Sequence, residues 1–164
     1  MNKSIWLLAF VVLPSWLFAQ QTLNEKLILQ LVNEIRTEGC YCGNEEVKPV
    51  NEVLWNDKLA SIATQHSHDL FTYTSKNENK FVYLSHISTD GSTLDDRLKK
   101  ANVTANNIRE NIGYVQGNER IIVDYWINNP ESCKNLMHPT AASIGIGRSG
   151  NFWTMLLTSA FITK

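Results

Sequence analysis

The sequence predicts an α+β domain in which helices pack on a small antiparallel sheet. Apolar residues recur at helical spacing over residues 23–38 and again after Asn56. Two β-like runs, 143–148 and 152–158, come late in the chain. The turn Ser149-Gly150-Asn151 joins them as a hairpin.

Each element has its own local reason. Leu23, Leu27, Leu29, Leu31, Val32 and Ile35 recur at near-helical spacing, with Asn24, Glu25, Lys26 and Glu34 between them, and Gly39 marks the end of this amphipathic helix. The polar stretch Gly43 to Pro49 reads as a loop. Asn56 is an N-cap for a second helix with Asp57 in its first turn, whose apolar face carries Leu59, Ile62, Ala63, His66 and Leu70. Asp90-Gly91-Ser92 is a turn, and Ser92 or Thr93 caps a short helix through Leu94, Leu98 and Ala101. A fourth helix runs from Glu119 to Asn128, with Ile122, Tyr125 and Trp126 inward, and stops before Pro130.

With 164 residues the chain has room for one domain and one core. Its 15 Lys and Arg nearly balance 16 Asp and Glu, so the charge offers no attraction to nucleic acid or an anionic membrane. Lys3 followed by the apolar run Ile5 to Phe18, and then Ala19, has the form of a secretory signal peptide over residues 1–19. The run is shorter than the roughly 20 apolar residues a membrane span needs. The expected mature domain is 20–164, exported and monomeric.

Export places Cys40, Cys42 and Cys133 where disulfides persist. Cys40 and Cys42 stand too close to bridge each other easily, so one of them is expected to pair with Cys133 and leave an odd thiol. Either pairing closes a loop of about 90 residues, worth roughly 4–5 kcal/mol in the chain-entropy model.

Four segments in order resemble the CAP superfamily (cysteine-rich secretory proteins, antigen 5, pathogenesis-related 1), in particular its bacterial secreted branch. They are Leu54–Leu59 leading to His66–Leu70, Leu84-Ser85-His86 followed by Asp90-Gly91, Glu110-Asn111-Ile112-Gly113, and Trp126–Pro130 through Asn135-Leu136-Met137 to Ile144–Gly147. The resemblance implies an α-β-α sandwich with a three-stranded antiparallel sheet and a groove lined by two His and two acids, able to hold a divalent metal. It favours Cys42 over Cys40 as the partner of Cys133.

His86 matches the first groove histidine and Glu110 the first groove acid. The second half of the set departs from the family pattern: Ser132 stands at the second histidine and Asn129 at the second acid. A catalytic zinc site takes three protein ligands, and the matched positions supply two. Zinc is therefore expected to bind weakly, with Glu131 and His138 as the nearby candidates to complete a set with His86 and Glu110. His66 and His68, two apart on one helix, face different directions, so His66 is expected buried and hydrogen-bonded and His68 exposed. No Gly-x-Ser-x-Gly elbow surrounds Ser132, so a serine-nucleophile reading lacks its usual context. The expected function is a non-catalytic binding module with a reduced groove of His86, Glu110, Asn129 and Ser132, taking a small molecule, lipid or peptide. The alternative is a metal-assisted hydrolase using His86 and Glu110.

Overall fold

The computed structural model describes residues 22–76 and 81–163, so the leader expected at 1–19 lies outside the described residues. In chain order the elements are α1 (Glu25–Glu38), β1 (Cys40–Cys42), β2 (Glu45–Val47), β3 (Leu54–Trp55), α2 (Asp57–Lys76), α3 (Leu94–Lys100), β4 (Val103–Asn106), β5 (Arg109–Tyr114), α4 (Glu119–Asn128), α5 (Pro130–Leu136), β6 (Ser143–Ser149), β7 (Phe152–Thr158) and β8 (Ala160–Thr163).

The capping residues set the helix starts. Asn24 accepts from the Leu27 amide and Asn118 from that of Ile121. Asn56 accepts from the Leu59 amide, as expected of it. Thr93, rather than Ser92, caps α3 and makes a reciprocal capping box with Asp96.

The main sheet has the order β3-β6-β7-β5. Its three long strands are antiparallel, and a two-residue parallel strand, β3, is added at the β6 edge. Two small antiparallel pairs, β1-β2 and β4-β8, stand apart. The polar stretch after Cys42 is not all loop: Glu45–Val47 pairs with Cys40–Cys42 around Gly43, whose positive φ of 66° suits a tight turn. The sequence reading marks none of the short strands β1, β3, β4 and β8, and it also misses two elements that frame the cleft, β5 and α5. Helix α5 begins at Pro130 because Asn129 caps it and proline, which has no amide hydrogen to leave unpaired, is favoured in a first turn.

β7 is buried on both faces, yet the pleat still sorts its side chains. Trp153, Met155 and Leu157 join the core shared with α1, α4 and α5, while Leu156 joins Leu59, Ile62 and Ala63 of α2. Helices thus cover both faces of the sheet, which gives the α-β-α sandwich. On the α2 face the two layers approach with almost nothing between them. A Cβ added at Gly145 would stand 2.2 Å from the Ala60 nitrogen, and one at Gly147 would stand 2.1 Å from the Thr64 nitrogen. On the other face Arg36 is fully buried, with its guanidinium donating to the carbonyls of Asn51, Leu136, His138 and Ala141. That fan of bonds joins the end of α1 to the exit of α5.

Cys42 is bonded to Cys133, with Cα atoms 5.4 Å apart, and Cys40 keeps a free, half-buried thiol whose pKa burial pushes up. Among the described residues no helix is long and apolar enough to cross a membrane.

Candidate functional site

A cleft of about 270 Å³ lies between the 84–92 loop, β5, and the junction of α4 with α5. Its lining brings together His86, Glu110, Asn129, Ser132 and Glu131. Leu84, Asn111, Ile112, Tyr125 and Asn135 complete the wall.

The floor is an ionic cluster. Glu110 sits on β5 opposite Leu156, with its side chain only 4% exposed. Arg97, from the last turn of α3, grips both carboxylate oxygens: Nη1 donates to Oε2 at 2.7 Å and Nη2 to Oε1 at 3.2 Å. The same Nη2 donates to the His86 carbonyl at 2.9 Å. His86 adds a third bond to the acid through Nδ1, 2.8 Å from Oε1. Burial alone would raise the Glu110 pKa, but the hydrogen bonds from His86 and Arg97 and the Arg97 charge outweigh it, and the group is held below the ordinary carboxylate range.

An ionised carboxylate only accepts, so Nδ1 of His86 carries a hydrogen, and in the neutral ring it is Nε2 that has the lone pair. The imidazole is 61% exposed. A buried acid therefore orients a ring whose second nitrogen is the free functional atom.

His66 holds the loop that carries this ring. It is 1% exposed, and the Ser85 carbonyl accepts from Nε2 at 2.9 Å, which fixes the tautomer. Nδ1 then accepts from the Ser88 hydroxyl at 3.0 Å. The two contacts bracket His86. Burial, joined by the positive charge of Arg97, lowers the His66 pKa and keeps the ring neutral. Asp69, one turn further along α2, accepts from the Thr89 amide and hydroxyl at 2.8 and 2.5 Å and pins the far end of the loop. His68 is exposed, as its position on α2 predicts.

The opposite wall is neutral at Asn129, Ser132 and Asn135, with the Glu131 carboxylate at its rim. The Asn129 side chain accepts from the Ser132 amide at 3.0 Å as the cap of α5. Asn111 donates to the Ser132 carbonyl at 2.8 Å and accepts from Asn135 at 2.9 Å, tying β5 to α5. Glu131 is exposed at the rim. His138 does not line the cleft: it lies beyond α5, where Nδ1 accepts from the Thr140 hydroxyl at 3.0 Å and its carbonyl accepts from the Ala141 amide. Burial and then the charges of Arg109 and Arg36 lower its pKa.

Among the described residues, the one set of three or more His, Cys, Asp or Glu with ligating atoms within 4.8 Å of one another is Cys40, Cys42 and Cys133. The atoms of His86, Glu110, Glu131 and His138 are not gathered in such a set, His138 lies outside the cleft, and the charge of Glu110 is already balanced by Arg97.

Sequence reasoning missed Arg97, Asn111 and Asn135. Asn111 and Asn135 lie inside segments that carry the family resemblance, while Arg97 follows a helix cap with no local signal for its partner. A larger depression, of about 320 Å³ on the α2–α3 face, has its charged groups already paired, Asp90 with Lys100 and Asp69 with Thr89.

Residues 29–155 match the profile of the cysteine-rich secretory protein family, CAP, and so cover most of the chain. The chain belongs to the CAP family. Over 134 residues this CAP domain is 30% identical to the uncharacterized membrane protein YlbC of Bacillus subtilis, covering 82% of the present chain and 34% of YlbC. It thus spans about a third of that relative's length. An extracellular SCP-domain protein of Bacillus anthracis superposes with a TM-score of 0.68 at 25% identity, over 82% of this chain and 40% of that one. A cysteine-rich secretory protein of Staphylococcus aureus shares the fold at a TM-score of 0.59 and 20% identity, over 82% and 38% of the two chains.

Proposed function

We propose that this CAP domain is an exported binding module whose groove receives a polar small molecule or peptide at His86 without breaking bonds in it. The observation that supports the reading is the state of Glu110. Arg97 and His86 occupy both of its oxygens, so the acid orients the imidazole and supplies little else. His86 then offers one hydrogen-bonding atom to a guest, opposite the amide and hydroxyl groups of Asn129, Ser132 and Asn135. A wall of amides and carboxylates matches a hydrogen-bonding guest better than an acyl chain.

Export is supported by the leader-like residues 1–19 and by the extracellular description of the Bacillus anthracis protein. N-terminal sequencing of the protein recovered outside the cytoplasm should begin at Gln20; a retained Met1 would count against it.

The competing reading, a metal-assisted hydrolase, draws on the same His86–Glu110 bond, because an acid that orients a histidine is also how general bases are held. Calorimetric titration of untagged protein with Zn²⁺ separates the two. The binding-module reading expects nothing tighter than about 1 mM. Micromolar binding that vanishes in His86→Ala would replace it with the hydrolase. For the groove itself, short neutral peptides should shift the His86 imidazole resonances in wild type and leave His86→Ala unperturbed elsewhere in the cleft.

A further inference from the structure

Away from the groove, three sulfur atoms meet. Cys40 and Cys42 are two residues apart on β1, so both side chains leave the same face of the strand, and Tyr41 between them is 63% exposed. That shared face meets Cys133 of α5. Cys42 holds the bond, yet the Cys40 sulfur rests against it: Cys40 Sγ lies 3.6 Å from Cys133 Sγ, and all three sulfurs fall within 4.8 Å of one another. The loop closed by Cys42–Cys133 spans 91 residues, and a Cys40–Cys133 bond would span 93. Loop-closure entropy depends on the logarithm of length, so it does not choose between the two partners. Local packing is left to choose.

We propose that Cys40, Cys42 and Cys133 form an intramolecular thiol–disulfide exchange site, in which Cys40 takes over the bond to Cys133 and releases Cys42. The Cys40 thiol loses its proton to water, and the thiolate attacks Cys133 Sγ. The Cys40–Cys133 bond forms as the Cys42–Cys133 bond breaks, and the electron pair departs on Cys42, which takes a proton from water. One disulfide and one thiol stand on each side, so no oxidant or reductant is consumed. The exchange moves the free thiol from a half-exposed position to one that is 2% exposed. A surface-reachable sulfhydryl is thereby shown or hidden without unfolding the domain.

The test locates the free thiol. Wild-type protein is equilibrated at about pH 8.5, the ordinary thiol pKa. It is then quenched in acid denaturant, alkylated with N-ethylmaleimide and digested without reduction. The peptide bearing both cysteines is fragmented between them, and protein kept at acid pH throughout sets the background. The expected result is label on Cys40 together with a reproducible share on Cys42 above that background. Label confined to Cys40 overturns the proposal. Cys42→Ala provides a second measurement: its folded form should contain a Cys40–Cys133 bond and no free thiol. Folded Cys42→Ala with two reactive thiols also overturns the proposal. The wild-type labelling remains decisive whether or not that variant folds.

Discussion

One wall of the groove, the 84–92 loop, is held by the side chains of Arg97, Glu110, His66 and Asp69. The other wall, α5, is held by a covalent bond from Cys133, a cap from Asn129, an amide pair at Asn111 and Asn135, and carbonyl contacts from Arg36. The loop wall presents the one well-aimed functional group, His86. The α5 wall presents amide and hydroxyl groups with Glu131 at its rim, and these braces do not depend on proton uptake. The difference teaches that this domain keeps His86 on the wall that acid can loosen, and braces the other wall chiefly with chemistry that acid does not touch, the exposed Lys134–Glu45 pair aside.

Breaking the braced wall should have the largest effect. Cys133→Ala removes the bond across the 91-residue loop and is expected to cost about 4–5 kcal/mol in urea unfolding. On the loop wall, Arg97→Met strands a buried carboxylate and is expected to cost about 3–5 kcal/mol by the same measurement. His66→Ala removes both bonds to the loop and should cost about 1–3 kcal/mol.

Acid sharpens the contrast. Burial depresses the His66 pKa, so as the pH falls the unfolded chain takes up its proton first. Stability is then complete above the ordinary histidine value of about 6.5 and is lost progressively below it. Glu110, held low by His86 and Arg97 against its own burial, contributes stability above the ordinary 4.5 and loses it as the pH falls further. Urea titrations at stepped pH should show both losses, and His66→Ala should flatten the one that begins near pH 6.5. The smallest effect belongs to His86→Ala: its ring is largely exposed, so stability should change by less than about 1 kcal/mol while peptide binding in the groove is lost.

The elements legible in the sequence were those whose burial follows one period. α1, α2 and α4 each bury a single face at helical spacing, and the β6–β7 hairpin is flagged by its turn. β5 was hidden because it buries Glu110 and Asn111, polar residues that serve the groove, so its pattern does not read as a strand. α5 was hidden by its brevity and by Pro130, which reads as a stop and acts as a start. In the site, His86, Glu110, Asn129 and Ser132 were reached through the family resemblance, and the cleft brings them together. The grip of Arg97 on Glu110 was not legible, because it joins a helix end to a strand through a tertiary contact. Nor does local spacing say which of Cys40 and Cys42 binds Cys133.

The two glycines of β6 reach further than their own strand. At Gly147 the helix backbone rests directly on the sheet at Thr64, and the neighbouring Ser67 hydroxyl donates to the Gly147 carbonyl at 3.2 Å. Between those two anchor points sits the His66 imidazole from which the 84–92 loop hangs. A single methyl group placed at 147 would jack the helix outward and carry that hinge with it. The shape a guest encounters is in this sense set from beneath, by hydrogen atoms it never touches.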